Sequence, residues 1–191
     1  VQVVAGEETT LPSEDLPAFS RLFPHTLGQK LLHVRSGSAG SGGVGEGAPE
    51  GGALRVGVVF CGRPSPGGHN VVCGLVDWVD RHCSADSAVL GFVNGTLGFF
   101  KGAHKVLVKA NVESFRNMGG YHLLGRTVDQ IRSDAHVRCA VATCRSLRLG
   151  ALVLVGGCYS QTDAAYLAEA FAQQDVGTAV VGVPASVDGD L

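Results

Sequence analysis

Apolar runs of strand length recur along most of the chain, at residues 54–61, 88–93, 151–155 and 179–183. Each run is almost continuously apolar, which is typical of strands that are buried on both faces of a parallel sheet. Segments long enough for helices separate these runs, at residues 70–82, 128–147 and 162–173. The alternation predicts βαβ units and an α/β fold, in which three αβα layers enclose a mostly parallel, doubly wound, Rossmann-like sheet.

Two of the helical segments carry an apolar stripe at helical spacing. The stripe of segment 70–82 includes Trp78, which we expect to lie in the core. The stripe residues are Val71, Leu75, Trp78 and Val79 in that segment, and Ile131, Ala135, Ala142 and Leu147 in segment 128–147.

The N-terminal part of the chain has a different pattern. Residues 1–35 form an arm, in which 13–15 can open a short helix that stops near Pro24. Eight of the 17 residues in 36–52 are glycine and none is aromatic. Such a composition buries too little apolar surface to offset its ordering entropy, so we predict a flexible Gly/Ser-rich linker over residues 36–53. The main domain then covers residues 54–191.

Composition and charge narrow the function classes. A chain of 191 residues with a net charge of −2 shows no basic surface for nucleic acid. Its longest apolar runs are shorter than the ~20 residues of a membrane span, so we expect no membrane segment. No secretory signal is visible, and the first residue is Val1 rather than Met, which favours an excised piece of a longer protein.

The cysteines and histidines do not form a metal-binding pattern. None of the six cysteines has CxxC spacing, and the seven histidines form no ligand cluster beside them. Most of the cysteines lie inside apolar runs, where free cysteine acts as a small hydrophobic side chain. We therefore expect no zinc site and a reducing, cytoplasmic location.

Three glycine-containing or acidic turns follow the predicted strands, at residues 62–70, 156–160 and 184–190. Ligands of such folds bind beyond the carboxyl ends of the strands. Glycine allows the backbone to approach an anion, and a helix N-terminus offers free N–H groups. The turns therefore indicate a phosphate-bearing ligand, although the glycines can equally serve only to make tight turns.

Asp188 and Asp190 stand two residues apart after the last predicted strand. In phosphoryl transfer, one carboxylate acts as a base while another helps to hold a divalent cation. The alternative is a solvated turn or a helix N-cap. The pattern alone leaves both possibilities open.

Several of these motifs together resemble the phosphofructokinase family. Residues 56–70 (VGVVFCGRPSPGGHN) are similar to its opening strand and phosphate loop, and the matching segments 91–102, 117–125, 156–160 and 184–191 follow in the family's order. The PGGHN version is similar to the pyrophosphate-dependent branch. The motifs GGYHLLGRTVDQIR and SQTDAAYLAEAF most resemble its regulatory, α-type chain.

The resemblance implies roles for particular residues. Ser186 would bind the acceptor, fructose 6-phosphate. Asp188 stands at the general-base position, and Asp190 at a position associated with Mg²⁺. Residues that correspond to the binding site of the phosphoryl donor, pyrophosphate or ATP, are Gly62, Arg63, Gly156, Gly157 and Ser160.

This sequence also departs from the family pattern. Arg63 replaces a glycine of the first loop, and Cys158 and Tyr159 replace an Asp-Gly or Asp-Asp pair whose first Asp helps to hold Mg²⁺ in the family. Ala185 replaces a lysine that contacts pyrophosphate, and Val128 replaces a donor-binding arginine. Phosphoryl transfer depends on positioning and charge neutralisation, so these losses imply a degenerate donor site. We expect the nearby Arg126 and Arg132 to pair with surface carboxylates such as Asp129 rather than with phosphate.

The resemblance therefore implies a component of a pyrophosphate:fructose-6-phosphate 1-phosphotransferase, which forms fructose 1,6-bisphosphate in glycolysis. In this interpretation the chain is an N-terminal fragment with a regulatory role, beside a catalytic partner subunit or a second fused domain in a homo- or hetero-oligomer. One alternative is an active phosphofructokinase domain that uses ATP or pyrophosphate. Another is a non-enzymatic module that senses a sugar phosphate or supports assembly.

Overall fold

The computed structural model describes residues 2–8, 11–35, 53–187 and 189. The chain divides into two compact units, Val1–Gly51 and Gly52–Leu191. Residues 36–52 of the predicted linker lie outside the described residues, and so do Asp188 and Asp190.

The N-terminal unit contains two strands and one helix. Strands β1 (Gln2–Glu8) and β2 (Lys30–Arg35) pair antiparallel, with Gln2 opposite Arg35. Helix α1 (Leu16–Leu22) lies between the two strands in the sequence and ends two residues before Pro24, near the predicted stop. None of its residues is buried within the described part of this unit. The two strands are not predicted, because their mixed composition lacks a clear alternation.

The main unit is built on one five-stranded sheet. The four predicted strands are all present and run parallel. Their order across the sheet is β4 (Ala88–Phe92), β3 (Arg55–Phe60), β6 (Ala151–Gly156) and β7 (Ala179–Pro184). A short strand that the sequence does not predict, β5 (His104–Leu107), pairs antiparallel with β4 at one edge.

Helices cover both faces of this sheet, which confirms the predicted three-layer α/β fold. Along β3, Val58 and Phe60 pack toward one face, in a core that includes α2, while Val59 packs in the core of the opposite face. This alternation of buried side chains fixes the register of the central strand. The helices are α2 (Gly68–His82), α3 (Gly95–Lys101), α4 (Lys109–Val112), α5 (Asp134–Leu147) and α6 (Cys158–Gln173), and a 3-10 turn covers Glu113–Phe115.

No helix in the described part of the chain combines the length and apolar composition that crossing a bilayer requires. All six cysteines lie among the described residues, and each is a free thiol.

The prediction that Trp78 lies in the core is wrong, because 42% of its surface is exposed. Its ring packs beside the His82 ring, with centroids 5.5 Å apart. The rest of the predicted stripe does contact the core, because Val79 is buried and Val71 and Leu75 are partly buried against it. The buried apolar residues of α2 are Val72, Cys73, Val76 and Val79.

Helix α5 begins at Asp134, six residues after the predicted start, because Ser133 caps it. The Ser133 Oγ accepts a hydrogen bond from the His136 N–H at 3.2 Å. Residues 128–132 therefore lie outside the helix. Ala135 and Ala142 of the predicted stripe are exposed, and the buried residues of α5 are Ala140, Val141, Thr143 and Cys144.

Replacement of two helical glycines by alanine should change the free energy of unfolding in opposite directions. A Cβ on Gly98, in α3, would overlap the Val93 carbonyl oxygen, whereas a Cβ on Gly74, in α2, would have no neighbour within 4 Å. We expect Gly98→Ala to lower the free energy of unfolding by about 1–3 kcal/mol or more. Gly74→Ala should raise it by about 0.5–1 kcal/mol, since alanine favours the helix. Urea denaturation measures both, and equal effects of the two substitutions would contradict the packing described for α3.

Candidate functional site

A cleft of about 610 Å³ lies beyond the carboxyl ends of β3, β6 and β7. The loops that follow these three strands form it together with residues 128–130. Nine of the positions that the sequence singled out line this cleft: Gly62, Arg63, Val128, Gly157, Cys158, Tyr159, Ser160, Ala185 and Ser186. It also contains Asp129, which was expected only as a surface carboxylate, and four residues without a predicted role: Cys61, Gln130, Asp163 and Val187.

The first loop, which begins at Gly62, is held by two consecutive residues, Arg126 and Thr127. Gly62 has a φ of +70°, and its N–H donates to the Thr127 carbonyl at 3.2 Å. The Arg126 guanidinium donates to the Gly62 carbonyl at 2.8 Å. Arg126 thus binds this loop rather than a surface carboxylate, contrary to expectation. Arg63, the next residue, is exposed and lines the cleft.

The second loop requires glycine at position 156. A Cβ there would lie 2.7 Å from the Cys61 carbonyl oxygen and would overlap the Ser160 Oγ. The Gly156 carbonyl accepts hydrogen bonds from the Gln161 side chain at 2.8 Å and from the Ala185 N–H at 3.0 Å. Gly156 therefore joins the second loop to the third, although it does not itself line the cleft.

Four exposed side chains of the cleft carry no charge. Helix α6 begins with Cys158 and Tyr159, which are both exposed, and 70% of the tyrosine surface is accessible. Val128 and Val187 are 69% and 66% exposed on the other loops. At the positions where the family resemblance implies a metal ligand, a lysine and an arginine, Cys158, Ala185 and Val128 thus present thiol, methyl and isopropyl groups to the cleft.

Few charges face the cleft. Among the described residues that line it, Arg63 is the one cation, and Asp129 and Asp163 are the acids. Asp163 is only 4% exposed, and burial raises the pKa of its carboxyl group. Its Oδ2 accepts a hydrogen bond from the Ile131 N–H at 3.0 Å, and the Arg132 Nε lies 3.1 Å from its Oδ1. Arg132 therefore pairs with a buried carboxylate, not with a surface carboxylate as expected.

Cys61 does not act as a nucleophile in this setting. Burial raises the pKa of the Cys61 thiol to about 12, and the nearby Asp163 carboxylate also opposes its ionisation. The reactive form of cysteine is the thiolate. Cys61 thus packs as a buried thiol at the end of β3.

The described residues do not fit a magnesium site. They contain no group of three or more histidine, cysteine or acidic side chains arranged to hold a metal ion. The Asp163 Oδ2 already accepts from the Ile131 N–H, and its Oδ1, which accepts no hydrogen bond, is paired in charge with the Arg132 guanidinium. Mg²⁺ prefers carboxylate oxygens in octahedral geometry, and Cys158 does not supply one. Asp190, the predicted metal-associated residue, lies outside the described residues.

Behind the first loop, His69 is a fully buried histidine whose two ring nitrogens contact the backbone. Its Nδ1 lies 3.0 Å from the Met118 carbonyl oxygen, and the Leu123 N–H donates to its Nε2 at 3.3 Å. A carbonyl can only accept and an N–H can only donate, so Nδ1 carries the proton and the ring is neutral. Burial lowers the pKa of this imidazole, which favours the same form.

Gly68 and Asn70 of the PGGHN motif, and Ser65 just before it, also contact other parts of the protein. The Asn70 side chain exchanges hydrogen bonds with Asn117, and the Ser65 Oγ lies 3.0 Å from the Tyr121 hydroxyl oxygen. A Cβ on Gly68 would lie 2.5 Å from the Tyr121 ring. These contacts tie the first loop to residues 117–121. The polar motif that suggests a ligand site is thus largely occupied by the protein's own backbone and side chains.

His69 should make the stability of the protein depend on pH. Its pKa in the folded protein lies below the ordinary value of 6.5, so the unfolded chain takes up this proton at a higher pH. The stabilisation is fully present above pH 6.5 and is lost as the pH falls through the folded-state pKa. Urea unfolding between about pH 7.5 and pH 5 measures this loss, which His69→Gln should diminish. His82→Gln removes an exposed histidine of the same helix and serves as the control. If it diminished the pH-dependent loss of stability as much as His69→Gln does, the assignment to His69 would be contradicted.

Comparison with known proteins adds to this geometry. The sequence profile of the family described as Phosphofructokinase matches residues 55–191. The chain is 46% identical over 171 residues to the α subunit of pyrophosphate–fructose 6-phosphate 1-phosphotransferase of Solanum tuberosum, a match that covers 90% of this chain and 27% of that protein. It is 34% identical over 172 residues to the β subunit of the same species, covering 90% of this chain and 29% of that protein.

Solved structures agree with the fold. The phosphofructokinase of Pichia pastoris in the T-state superposes with a TM-score of 0.64 and 22% sequence identity, over 73% of this chain and 16% of that one. This likeness shows the fold alone. The chain spans less than a third of the length of each curated α-subunit relative that it matches.

Proposed function

Because this chain belongs to the phosphofructokinase family, we propose that it is the donor-side segment of a regulatory, α-type component of a pyrophosphate-dependent phosphofructokinase. The complete enzyme transfers a phosphoryl group from pyrophosphate to the 1-position of fructose 6-phosphate and forms fructose 1,6-bisphosphate. Within this component, the cleft keeps the backbone shape of a donor site but does not carry out the transfer.

The observation that carries this proposal is the charge of the cleft. Phosphoryl transfer is accelerated mainly by positioning and by neutralising charge on the travelling group. Val128, Cys158 and Ala185 line the cleft and supply no charge, and Arg63 is the one cation among its described lining residues. Removal of one well-placed group of this kind commonly costs a factor of about 100–1,000 in rate. Several such losses together leave negligible turnover.

The matched comparison with the two potato subunits supports an α-type rather than a β-type component. Identity is higher to the α subunit although both alignments cover the same share of this chain. In our proposal the partner is a β-type chain, and the two form a hetero-oligomer. Pyrophosphate, fructose 6-phosphate and Mg²⁺ are bound productively by that catalytic partner, in the cytoplasm.

The assignment predicts that turnover requires the partner. The full-length protein that carries this segment, mixed with Mg²⁺, pyrophosphate and fructose 6-phosphate, should form no fructose 1,6-bisphosphate above background. Addition of a purified β-type chain should produce turnover in a coupled enzyme assay. Robust turnover by the protein alone would instead favour the active-kinase alternative and would end the regulatory proposal.

Restoration of the missing charges is a second test. We expect the double variant Cys158→Asp, Ala185→Lys to raise turnover of the full-length protein alone by at least about 100-fold over background, because each charge returns to the cleft where the travelling group is bound. The matched control, Cys139→Asp with Ala142→Lys, places the same charges on exposed positions of α5. An equal gain in both double variants would show that the charges act nonspecifically, and no gain in either would mean that the backbone shape of the donor site has also been lost.

A further inference from the structure

One continuous segment, residues 118–132, forms a wall of the cleft and also holds its first loop. Residues 128–130 line the cleft, and the Thr127 carbonyl accepts the hydrogen bond from the Gly62 N–H. Thr127 also pairs with Cys61 as an isolated parallel bridge. The position of this segment therefore decides both the wall and the first phosphate-loop residue.

The segment has no helix or strand of its own. Some of its backbone groups pair with other backbone groups, such as the Leu124 carbonyl with the Asn94 N–H, and four are bound by side chains from three helices. His69, near the start of α2, contacts the Met118 carbonyl and the Leu123 N–H, as described above. Asp163, on α6, accepts from the Ile131 N–H and pairs with Arg132.

Thr96, in the first turn of α3, holds the middle of the segment. Its hydroxyl donates to the Asp129 carbonyl at 3.0 Å. Because its one proton is used there, the hydroxyl accepts from the Thr127 hydroxyl, which lies 2.8 Å away. The adjacent Gly95 leaves room for this contact, since a Cβ there would lie 2.5 Å from the Thr127 nitrogen.

All three side chains are buried: His69 and Thr96 are 0% exposed and Asp163 is 4% exposed. Aromatic rings also restrict His69, because the Phe115 and His122 rings lie 5.2 Å and 4.6 Å from it. Buried polar contacts of this kind are costly to break, since a lost partner leaves a desolvated group unpaired.

We propose that His69, Thr96 and Asp163 are positioning residues that together clamp segment 118–132 and thereby set the geometry of the first loop at Gly62. None of the three makes a hydrogen bond to Gly62 among the contacts of the described residues. Each acts on it through the segment and the Thr127 carbonyl. The clamp deepens the proposed function, because it explains how the donor-site shape persists without donor-site charges.

Amide hydrogen exchange of the full-length protein, resolved to single residues, tests the clamp. Thr96→Val, Asp163→Ala and His69→Ala each remove the two contacts of one side chain with the segment. The directly bonded amides should exchange faster, Leu123 in the histidine variant and Ile131 in the aspartate variant. The informative amide is Gly62, which we expect to exchange at least about tenfold faster in all three variants.

Conservative variants separate positioning from general destabilisation. Thr96→Ser keeps the hydroxyl, and Asp163→Asn keeps an oxygen that can accept from Ile131, so both should return Gly62 exchange to within about twofold of the native rate. Asp80→Ala and His82→Ala, on the exposed face of α2, are the matched controls and should leave it unchanged.

Two results would overturn the clamp. One is unchanged Gly62 exchange in the three removal variants, which would confine each contact to its own neighbours. The other is an equal acceleration across the strands of the sheet, which would mean global unfolding. The readout needs no turnover and no partner chain, so failure of the proposed function would leave the clamp intact, and failure of the clamp would leave the proposed function intact.

Discussion

The cleft depends on the close approach of two backbones at the ends of β3 and β6. The Cys61 N–H donates to the Val155 carbonyl at 2.9 Å, and the Cys61 carbonyl oxygen lies only 2.7 Å from the place that a Cβ of residue 156 would take. Only glycine permits this approach. Since Gly156 also accepts from the Ala185 N–H, one residue without a side chain brings the three strand ends and their loops together.

This arrangement separates the shape of an anion site from its charge. The shape comes from glycines and from backbone hydrogen bonds, such as those of the Gly62 N–H with the Thr127 carbonyl and of the Ala185 N–H with the Gly156 carbonyl. The charge of such a site comes from side chains, and Val128 and Cys158 are exposed, uncharged side chains that line this cleft. A change of charge at these exposed positions therefore has little effect on the packing of the fold.

The buried polar groups explain why the shape is retained. Segment 118–132 has no strand or helix of its own, and side chains from three helices satisfy four of its backbone groups, while others pair with backbone, such as the Gly120 N–H with the Ser65 carbonyl. A buried histidine, threonine or aspartate is tolerated in such a place only when its partners are present. These residues stabilise the segment and its cleft at the same time, independently of catalysis.

The sequence by itself determined the four parallel strands, the three-layer fold and the loops that meet at the cleft, because continuous apolar runs and glycine turns are local signals. Only the tertiary structure decided which side chains of α2 are buried, and it placed Trp78 at the surface. The partners of Arg126, Arg132 and Asp163 were also decided by the tertiary structure, because they lie 31 to 64 residues away along the chain. Long-range polar pairing leaves no pattern along the chain, since it depends on distances that exist only after the strands have packed.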